Sequence, residues 1–540
     1  MTRPGDRTTG NPHQTRSAVL ARNGLIATSQ PLASAAGLKV LQDGGNAIDA
    51  AVTAAAVLAV VEPSMTGIGG DLFAIVYEAT SRTLRALNAS GRSPYAATAA
   101  EFSARGLTQV PVAGALAVTV PGVVDGWCEL LSTHGTISMT RAIAPAMAYA
   151  RDGFAVSEII GGQWISGARK LAADANAAAT FLPGGRAPKT GEVFTNPQLA
   201  ATLATIADGG RDAFYRGPVA RAIAADFERR GGLLAERDFA AHASNWIQPI
   251  STSYRGYDVY ELPPNTQGFV ALEMLNVLEG FDVASMGHNS ADYLHALAEA
   301  KRIAFTDRAA YLGDPDAVPA DLLRMLISKE YAAARRREID LTQVGAFGEA
   351  AHSYSSLDRG DTVYLTAADG LGNAISLIQS LFSEFGCGIV AGDTGIVLGN
   401  RGSAFNLTPG HPAALAPHKR PPHTLIPAFV MKDGRPFLSF GVMGGDHQAQ
   451  GHTQVLANII DFGMNVQEAG EAARVTHGPN GLQVESAAPQ DVREALTRRG
   501  HAVFEAVGGF GGYQGIQFDP ANGVMKGGSD VRKDGLAIGY

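Results

Sequence analysis

Residues 357–380 read LDRGDTVYLTAADGLGNAISLIQS. Two runs rich in β-branched and apolar residues, TVYLTAAD and NAISLIQSLF, flank Gly370-Leu371-Gly372, a pattern that predicts a β-hairpin. Thr362 would be unremarkable in its first strand, where β-branching suits the pleated backbone. Its position directly after the charged, turn-like segment ending in Gly360-Asp361 opens a second reading. If the chain is cut before Thr362, that residue offers a hydroxyl nucleophile and, on the same residue, an α-amine. The amine's reference pKa of about 7.7–8.0 lets it act as a general base near neutrality. The preceding stretch, Ala333 to Ser356, drops in hydrophobicity and ends in small polar residues, which predicts a mobile linker leading to the cut.

Composition limits what such a nucleophile acts on. The chain has 540 residues, 46% of them hydrophobic, and a formal charge of −8. A nucleic-acid groove needs clustered Lys and Arg to displace counterions from phosphates, so an acidic chain points to a small-molecule substrate instead. The length prior of roughly 150 residues per domain gives three or four domains. Cys128 and Cys387 are the two cysteines. No disulfide framework is implied, a single bridge is formally allowed, and a cytoplasmic location is expected. Residues 1–25 lack an apolar signal core and are expected to be a flexible lead-in. The most apolar run, Ala47 to Pro63, contains Asp49 and is shorter than the roughly 18 residues a membrane span needs, so it reads as a buried helix and no membrane partner is expected.

The segment SQPLASAAGLKVLQDGGNAIDAAVTAAAVLAVVEP predicts two Ala-rich helices broken at Gly44-Gly45-Asn46. In TGIGGDLFAIVYE, the glycines follow a helix and precede a strand. A phosphate loop has the opposite order, so a tight helix-to-strand turn is expected. Asn196 to Arg336 reads as amphipathic helices whose charges form a solvated face. After Thr362 strands dominate, with a second hairpin through Asp433-Gly434 and a helix in TQVLANIIDFGM. Helices around two strand sets predict a layered α+β sandwich. His411, His418, His423, His447 and His452 lack the i, i+4 spacing of a helical zinc site, and no CxxC or G-x-S-x-G motif occurs. No metal or cofactor is expected.

Five collinear stretches carry a resemblance: PLASAAGLKVLQDGGNAIDAAVTAAAVLAVVEPSMTGIGGDLF, VTVPGVVDGW, GNAISLIQSLFSEFGCGIVAGDTGIVLGN, GVMGGDHQAQGHTQV and GGSDVRKDG. From about Ile26 to Tyr540 the chain resembles the gamma-glutamyltranspeptidase family of N-terminal-nucleophile hydrolases. The resemblance implies a four-layer αββα sandwich and a proenzyme that cleaves itself between Asp361 and Thr362. The large subunit would then be residues 26–361 after the lead-in and the small one 362–540, interlocked in one body. It implies Thr362 as nucleophile, Gly444 and Gly445 as oxyanion donors, and Ser380 in the place of a threonine that orients the nucleophile. A homodimer of the processed form stays open.

The departures bear on substrate. Where family members hold the α-carboxylate of a glutamyl group with an Arg, this chain has Ser90. Where they hold its α-amine with an Asp, it has Ala404. Phe382 replaces a polar Asn, making the site between Phe382 and Phe385 more apolar, and His423-Thr424 replaces a pair of serines. Arg92 and Arg401 are the candidates for a displaced carboxylate clamp, since a guanidinium binds carboxylates bidentately. These substitutions resemble a branch that includes oxamate amidohydrolases and some acylases, so hydrolysis of a small amide is the leading reading. Gamma-glutamyl transfer from glutathione is the alternative, and an unprocessed binding protein on the same fold is a third.

Overall fold

The computed structural model describes residues 9–11, 14–347 and 361–540. Two seven-stranded sheets form the middle of the molecule. The first runs, edge to edge, through Leu536–Gly539, Gly24–Thr28, Asp361–Asp369, Ala374–Phe382, Asp71–Glu78, Thr83–Ala89 and Asn245–Ile247. The second runs through Val19–Ala21, Val524–Ser529, Gly512–Asp519, Arg435–Met443, Ala428–Lys432, Tyr257–Glu261 and Ile250–Tyr254. Every neighbouring pair in both sheets is antiparallel.

The hairpin at Thr362 supplies the centre of the first sheet, and its period of two sorts the side chains into layers. Val363, Leu365 and Ala367 face the core shared with the helices Pro31–Gln42, Ala47–Val61 and Met139–Asp152. Tyr364 and Ala368 face the other way, into an apolar layer with Phe73, Ile378, Phe429, Met443 and Ile516 from both sheets. A third core lies between the second sheet and the helices Gly268–Leu278, Ala291–Tyr311 and His447–Ile460. Three apolar layers between four structural ones make the αββα sandwich. The central pair of strands belongs to the segment after residue 361, while strands on both sides of it come from before that residue. Dividing the length into three or four domains is therefore wrong, because neither segment closes a core alone.

The Ala-rich helix Ala47–Val61 is buried along its whole length. Its one charge is used at its start: Asp49 Oδ2 accepts from the Asn46 N–H (2.9 Å) and Oδ1 from the Thr136 N–H (2.8 Å). No helix among the described residues is long and apolar enough to cross a membrane. The glycines of TGIGGDLF form the expected turn, and for a reason the sequence did not reveal. A Cβ on Gly69 would lie 2.1 Å from Val397 O, and one on Gly70 2.1 Å from Ser380 O, so the turn packs its bare backbone against two other segments.

Three expectations need correction. Residues 14–25 are not a free lead-in: Val19–Ala21 pairs with Gly527–Met525, and Gln14 Nε2 donates to Asn465 Oδ1 (3.1 Å). The charges on Ala291–Tyr311 are not a solvated face, because Glu299, Lys301, Asp307 and Arg308 are all buried. The proposed linker is helical as far as Arg336, and Val344 N bonds to Arg499 O (2.8 Å). Its remainder from residue 348 lies outside the described residues. Cys128 and Cys387 are free thiols, so no bridge exists.

Candidate active site

Thr362 lies at an irregularity in the central hairpin. The pairing passes from Asp361↔Phe382 to Val363↔Gln379, so Ser380 and Leu381 together oppose Thr362. Such a bulge re-aims the side chains beside it. Thr362 is 2% exposed, and its Oγ1 donates to Ser380 Oγ at 3.2 Å. Ser380 Oγ also accepts from the Phe382 N–H (2.8 Å), which holds the serine against the threonine.

The second sheet brings the glycine pair to the same end. Thr366 Oγ1 and Ser439 Oγ are 2.7 Å apart across the sandwich. Moving back from Thr366 to Thr362 and forward from Ser439 follows the strand to its end at Met443, after which Gly444 and Gly445 precede the helix His447–Ile460. Their φ values of 127° and 59° are conformations that side chains disfavour, so glycine is required by the turn itself.

Around Ser380 a polar cluster closes the site. Asp71 pairs with Ser380 in the sheet register, and its Oδ1 accepts from the Gly91 N–H (2.7 Å). Asp71 Oδ2 accepts from His423 Nε2 at 3.0 Å, which fixes the imidazole tautomer and leaves Nδ1 as a bare acceptor with no partner among the described residues. Burial, reinforced by the nearby Arg401 charge, draws the His423 pKa down to about 3, so it is neutral at physiological pH. Asp71 is a residue that sequence reasoning missed, although it directly follows the quoted glycine motif.

Arg401 and Arg92 separate clearly. Arg401 is 2% exposed and stacks its guanidinium 3.8 Å from the centre of the Phe382 ring. Its Nη1 donates to Thr424 Oγ1 (3.2 Å), while Nε and Nη2 have no hydrogen-bond partner among the described residues. Burial lowers its pKa to about 9, opposed by the Asp71 and Asp446 carboxylates, so it remains charged at neutral pH. A buried guanidinium with open donors is costly unless something else satisfies it. Arg92 instead lies 3.9 Å from the Asp314 carboxylate and bonds weakly to His418 O (3.5 Å).

Ser90 and Ala404 do not line open space. Ser90 is fully buried in a network in which its hydroxyl donates to Asn88 Oδ1 (2.7 Å) and accepts from Asn265 Nδ2 (3.2 Å) and Arg420 Nη1 (3.0 Å). Arg420, unnoticed in the sequence, spends its other donors on Asn245 Oδ1 (2.6 Å) and Ala243 O (3.1 Å). Ala404 ends the short turn that begins with Arg401 and is buried. Phe385 is corrected as a wall of the site: its ring packs with Trp164 and Phe181 in the first core. No group of three or more potential metal-ligating side chains occurs among the described residues.

The buried imidazoles make the fold acid-sensitive. Burial holds His134, His242, His288, His418, His423, His447, His452, His477 and His501 below their ordinary range. On unfolding each takes up a proton below pH about 6.5. Glu62, Glu261 and Glu273 oppose this, since burial raises all three and they release protons on unfolding. Nine uptakes outweigh three releases, so the unfolded state binds more protons and stability falls as pH drops below about 6.5. The unfolding temperature is expected to be several degrees lower at pH 5 than at pH 7.5, read by differential scanning calorimetry. A flat profile contradicts this.

The αββα sandwich, with Thr362 beside a bulge in its central hairpin and the Gly444-Gly445 turn at the same end, is the fold of N-terminal-nucleophile hydrolases. The chain belongs to the gamma-glutamyltranspeptidase family, whose model matches residues 33–540. It is 39% identical over 532 residues to the glutathione hydrolase-like YwrD proenzyme of Bacillus subtilis, covering 96% of this chain and 99% of the relative. It is 34% identical to the oxamate amidohydrolase proenzyme of Klebsiella pneumoniae, over 96% of this chain and 99% of that one. Among solved structures, cephalosporin acylase from Bacillus halodurans superposes with a TM-score of 0.92 at 41% identity, covering 100% of this chain and 99% of the acylase.

Proposed function

We propose that this enzyme cleaves itself before Thr362 and then hydrolyses a small amide whose acyl group carries a carboxylate. The observation that carries the substrate reading is Arg401, a buried cation with two donor atoms that have no partner among the described residues, stacked on Phe382 at the end of the nucleophile hairpin. In the precursor, Thr362 Oγ1 attacks the carbonyl carbon of Asp361. The C–N bond breaks as the C–O ester bond forms, the Oγ1 proton passing to the freed α-amine of Thr362, and water then hydrolyses the ester to release the Asp361 carboxylate and regenerate the Thr362 hydroxyl. In turnover, Oγ1 attacks the substrate carbonyl and passes its proton to that amine. The negative oxygen sits on the N–H groups of Gly444 and Gly445. Collapse expels the leaving amine with the transferred proton, and water then attacks the acyl ester to release the acid.

The oxamate amidohydrolase relative supports this choice of substrate class. Gamma-glutamyl transfer is the second reading, supported by the shared scaffold, but Ser90 and Ala404 stand where the glutamyl handles are expected. The deciding experiment incubates the processed protein with oxamate, other short acid amides and a gamma-glutamyl anilide. Ammonia release from a short acid amide is expected. Turnover confined to the anilide overturns the proposal.

The oxyanion assignment has its own test. A β-branched side chain at Gly445, where φ is 59°, strains the turn and displaces its N–H. Gly445→Val is expected to lower kcat by about 10²–10³-fold with little change in KM. Full turnover by a folded, self-cleaved Gly445→Val protein removes the pair from the mechanism.

A further inference from the structure

Gln267 stands at the N-terminus of the helix Gly268–Leu278 and is fully buried. Its Nε2 donates to two carbonyls at once, Thr424 O (2.9 Å) and Gly445 O (3.0 Å). Its Oε1 accepts from Arg308 Nη1 (2.7 Å). This orientation of the amide satisfies all three contacts, because the carbonyls need donors and the guanidinium needs an acceptor. Arg308, on Ala291–Tyr311, also clamps Asp446 in a two-point pair, Nη1 to Oδ1 (2.8 Å) and Nη2 to Oδ2 (3.0 Å).

Both donor residues lie before the cut at Thr362, and all three residues they hold, Thr424, Gly445 and Asp446, lie after it. Thr424 is the residue that touches Arg401. We propose that Gln267 and Arg308 are positioning residues through which the large subunit sets the geometry of the small subunit's active site. This rests on the oxyanion role of Gly444 and Gly445 proposed above. Two successive glycines have little intrinsic preference for one peptide orientation. The His447 N–H to Gly444 O bond (3.0 Å) fixes the peptide plane that carries the Gly445 N–H, and the Gln267 bond to Gly445 O (3.0 Å), with the Gln448 N–H (3.2 Å), fixes the following plane, which bounds the glycine pair. Arg308 anchors the residue that follows. The same carboxamide ties this loop to the Thr424 carbonyl, so the oxyanion donors and the substrate wall are held in one register. Orientation of this kind decides rates, because a 1 Å displacement of an aligned group can cost about 10²-fold.

The test uses Gln267→Met, which keeps length but has no donor, and Gln267→Glu, which keeps the Arg308 contact but cannot donate to either carbonyl. Rates are expressed per self-cleaved enzyme, read from the amount of small fragment, with folding checked by circular dichroism. Both variants are expected to lose about 10²-fold in kcat with KM changed only a few-fold. The amide-to-thioamide rate ratio should also shrink, because sulfur is a poor acceptor and feels misaligned donors less than oxygen does. A merely structural role would leave that ratio at the wild-type value. Wild-type kcat and ratio in either folded, cleaved variant overturn the proposal. If Gly445→Val is impaired in the same assay, the oxyanion reading survives that failure; if Gly445→Val is also unimpaired, both fall together.

Discussion

Thr362→Ala is expected to remain one chain of 56.1 kDa through expression, purification and prolonged incubation. The wild-type protein should separate into two fragments. Scaling 56.1 kDa by 361 and 179 of 540 residues gives about 37.5 and 18.6 kDa, formed without added protease because the threonine hydroxyl itself attacks the preceding carbonyl. The variant should also lose amide turnover, on the order of 10⁶-fold, as expected when a covalent nucleophile is removed. The fold itself should tolerate the change. Thr362 gives up one hydrogen bond of 3.2 Å to Ser380, and the strand around it is held by ladders to both neighbours. Thr362→Ser keeps a hydroxyl and should still cleave, more slowly. A Thr362→Ala protein that yields the same fragments would place the cut in other hands.

The second large effect concerns the acyl group. At the positions where the family's glutamyl handles are expected, Ser90 is locked in the Asn88–Asn265–Arg420 network and Ala404 has no carboxylate, so a gamma-glutamyl substrate is expected to lack two charge-assisted contacts. At roughly 1.5–3 kcal/mol each, their loss should lower kcat/KM for gamma-glutamyl anilides by several orders of magnitude relative to an enzyme that has both. A short acid amide needs no ammonium pocket and can place its carboxylate on the open Nε and Nη2 of Arg401. Arg401→Met should therefore raise KM for that amide sharply and leave self-cleavage intact. The same substitution should raise the unfolding temperature, because it removes a buried charge that makes no direct ion pair among the described residues and feels Asp71 and Asp446 only at longer range. Arg92→Ala should change neither, since Arg92 faces Asp314. An Arg401→Met protein with unchanged KM would return the clamp to another residue. Efficient gamma-glutamyl turnover would restore the second reading of the site.

Much of the architecture was legible because it depends on local rules. Alternation in TVYLTAAD and NAISLIQSLF gave the central hairpin, and Gly44-Gly45-Asn46 divided the two Ala-rich helices where Gly44 takes a φ of 88° and Asn46 caps the second. What escaped depends on contacts between distant segments. Residues 14–25 look polar and terminal, yet they add an edge strand by pairing with Val524–Ser529, which no local pattern announces. The helix Ala291–Tyr311 reads as amphipathic, but it is enclosed on several sides, so charges that look solvated are in internal pairs such as Arg308 with Asp446. Arg92 and Arg401 were indistinguishable as letters. One is partnered by Asp314 across more than 200 residues, while the other is left with open donors beside Phe382. Gln267 carried no signal at all, because a single Gln before an apolar helix is commonplace until three other segments converge on its amide.

The most direct test of the account is mass spectrometry of the small fragment during turnover. The processed protein is mixed with a slowly hydrolysed acid amide, quenched in acid within the first turnovers, digested, and its peptides weighed. A fragment beginning at Thr362 is expected, with its N-terminal peptide heavier by one acyl group and the other peptides unchanged. Continued turnover with that peptide unmodified, or an acyl group carried on a different residue, would contradict the claim that Thr362 is the nucleophile the chain makes by cutting itself.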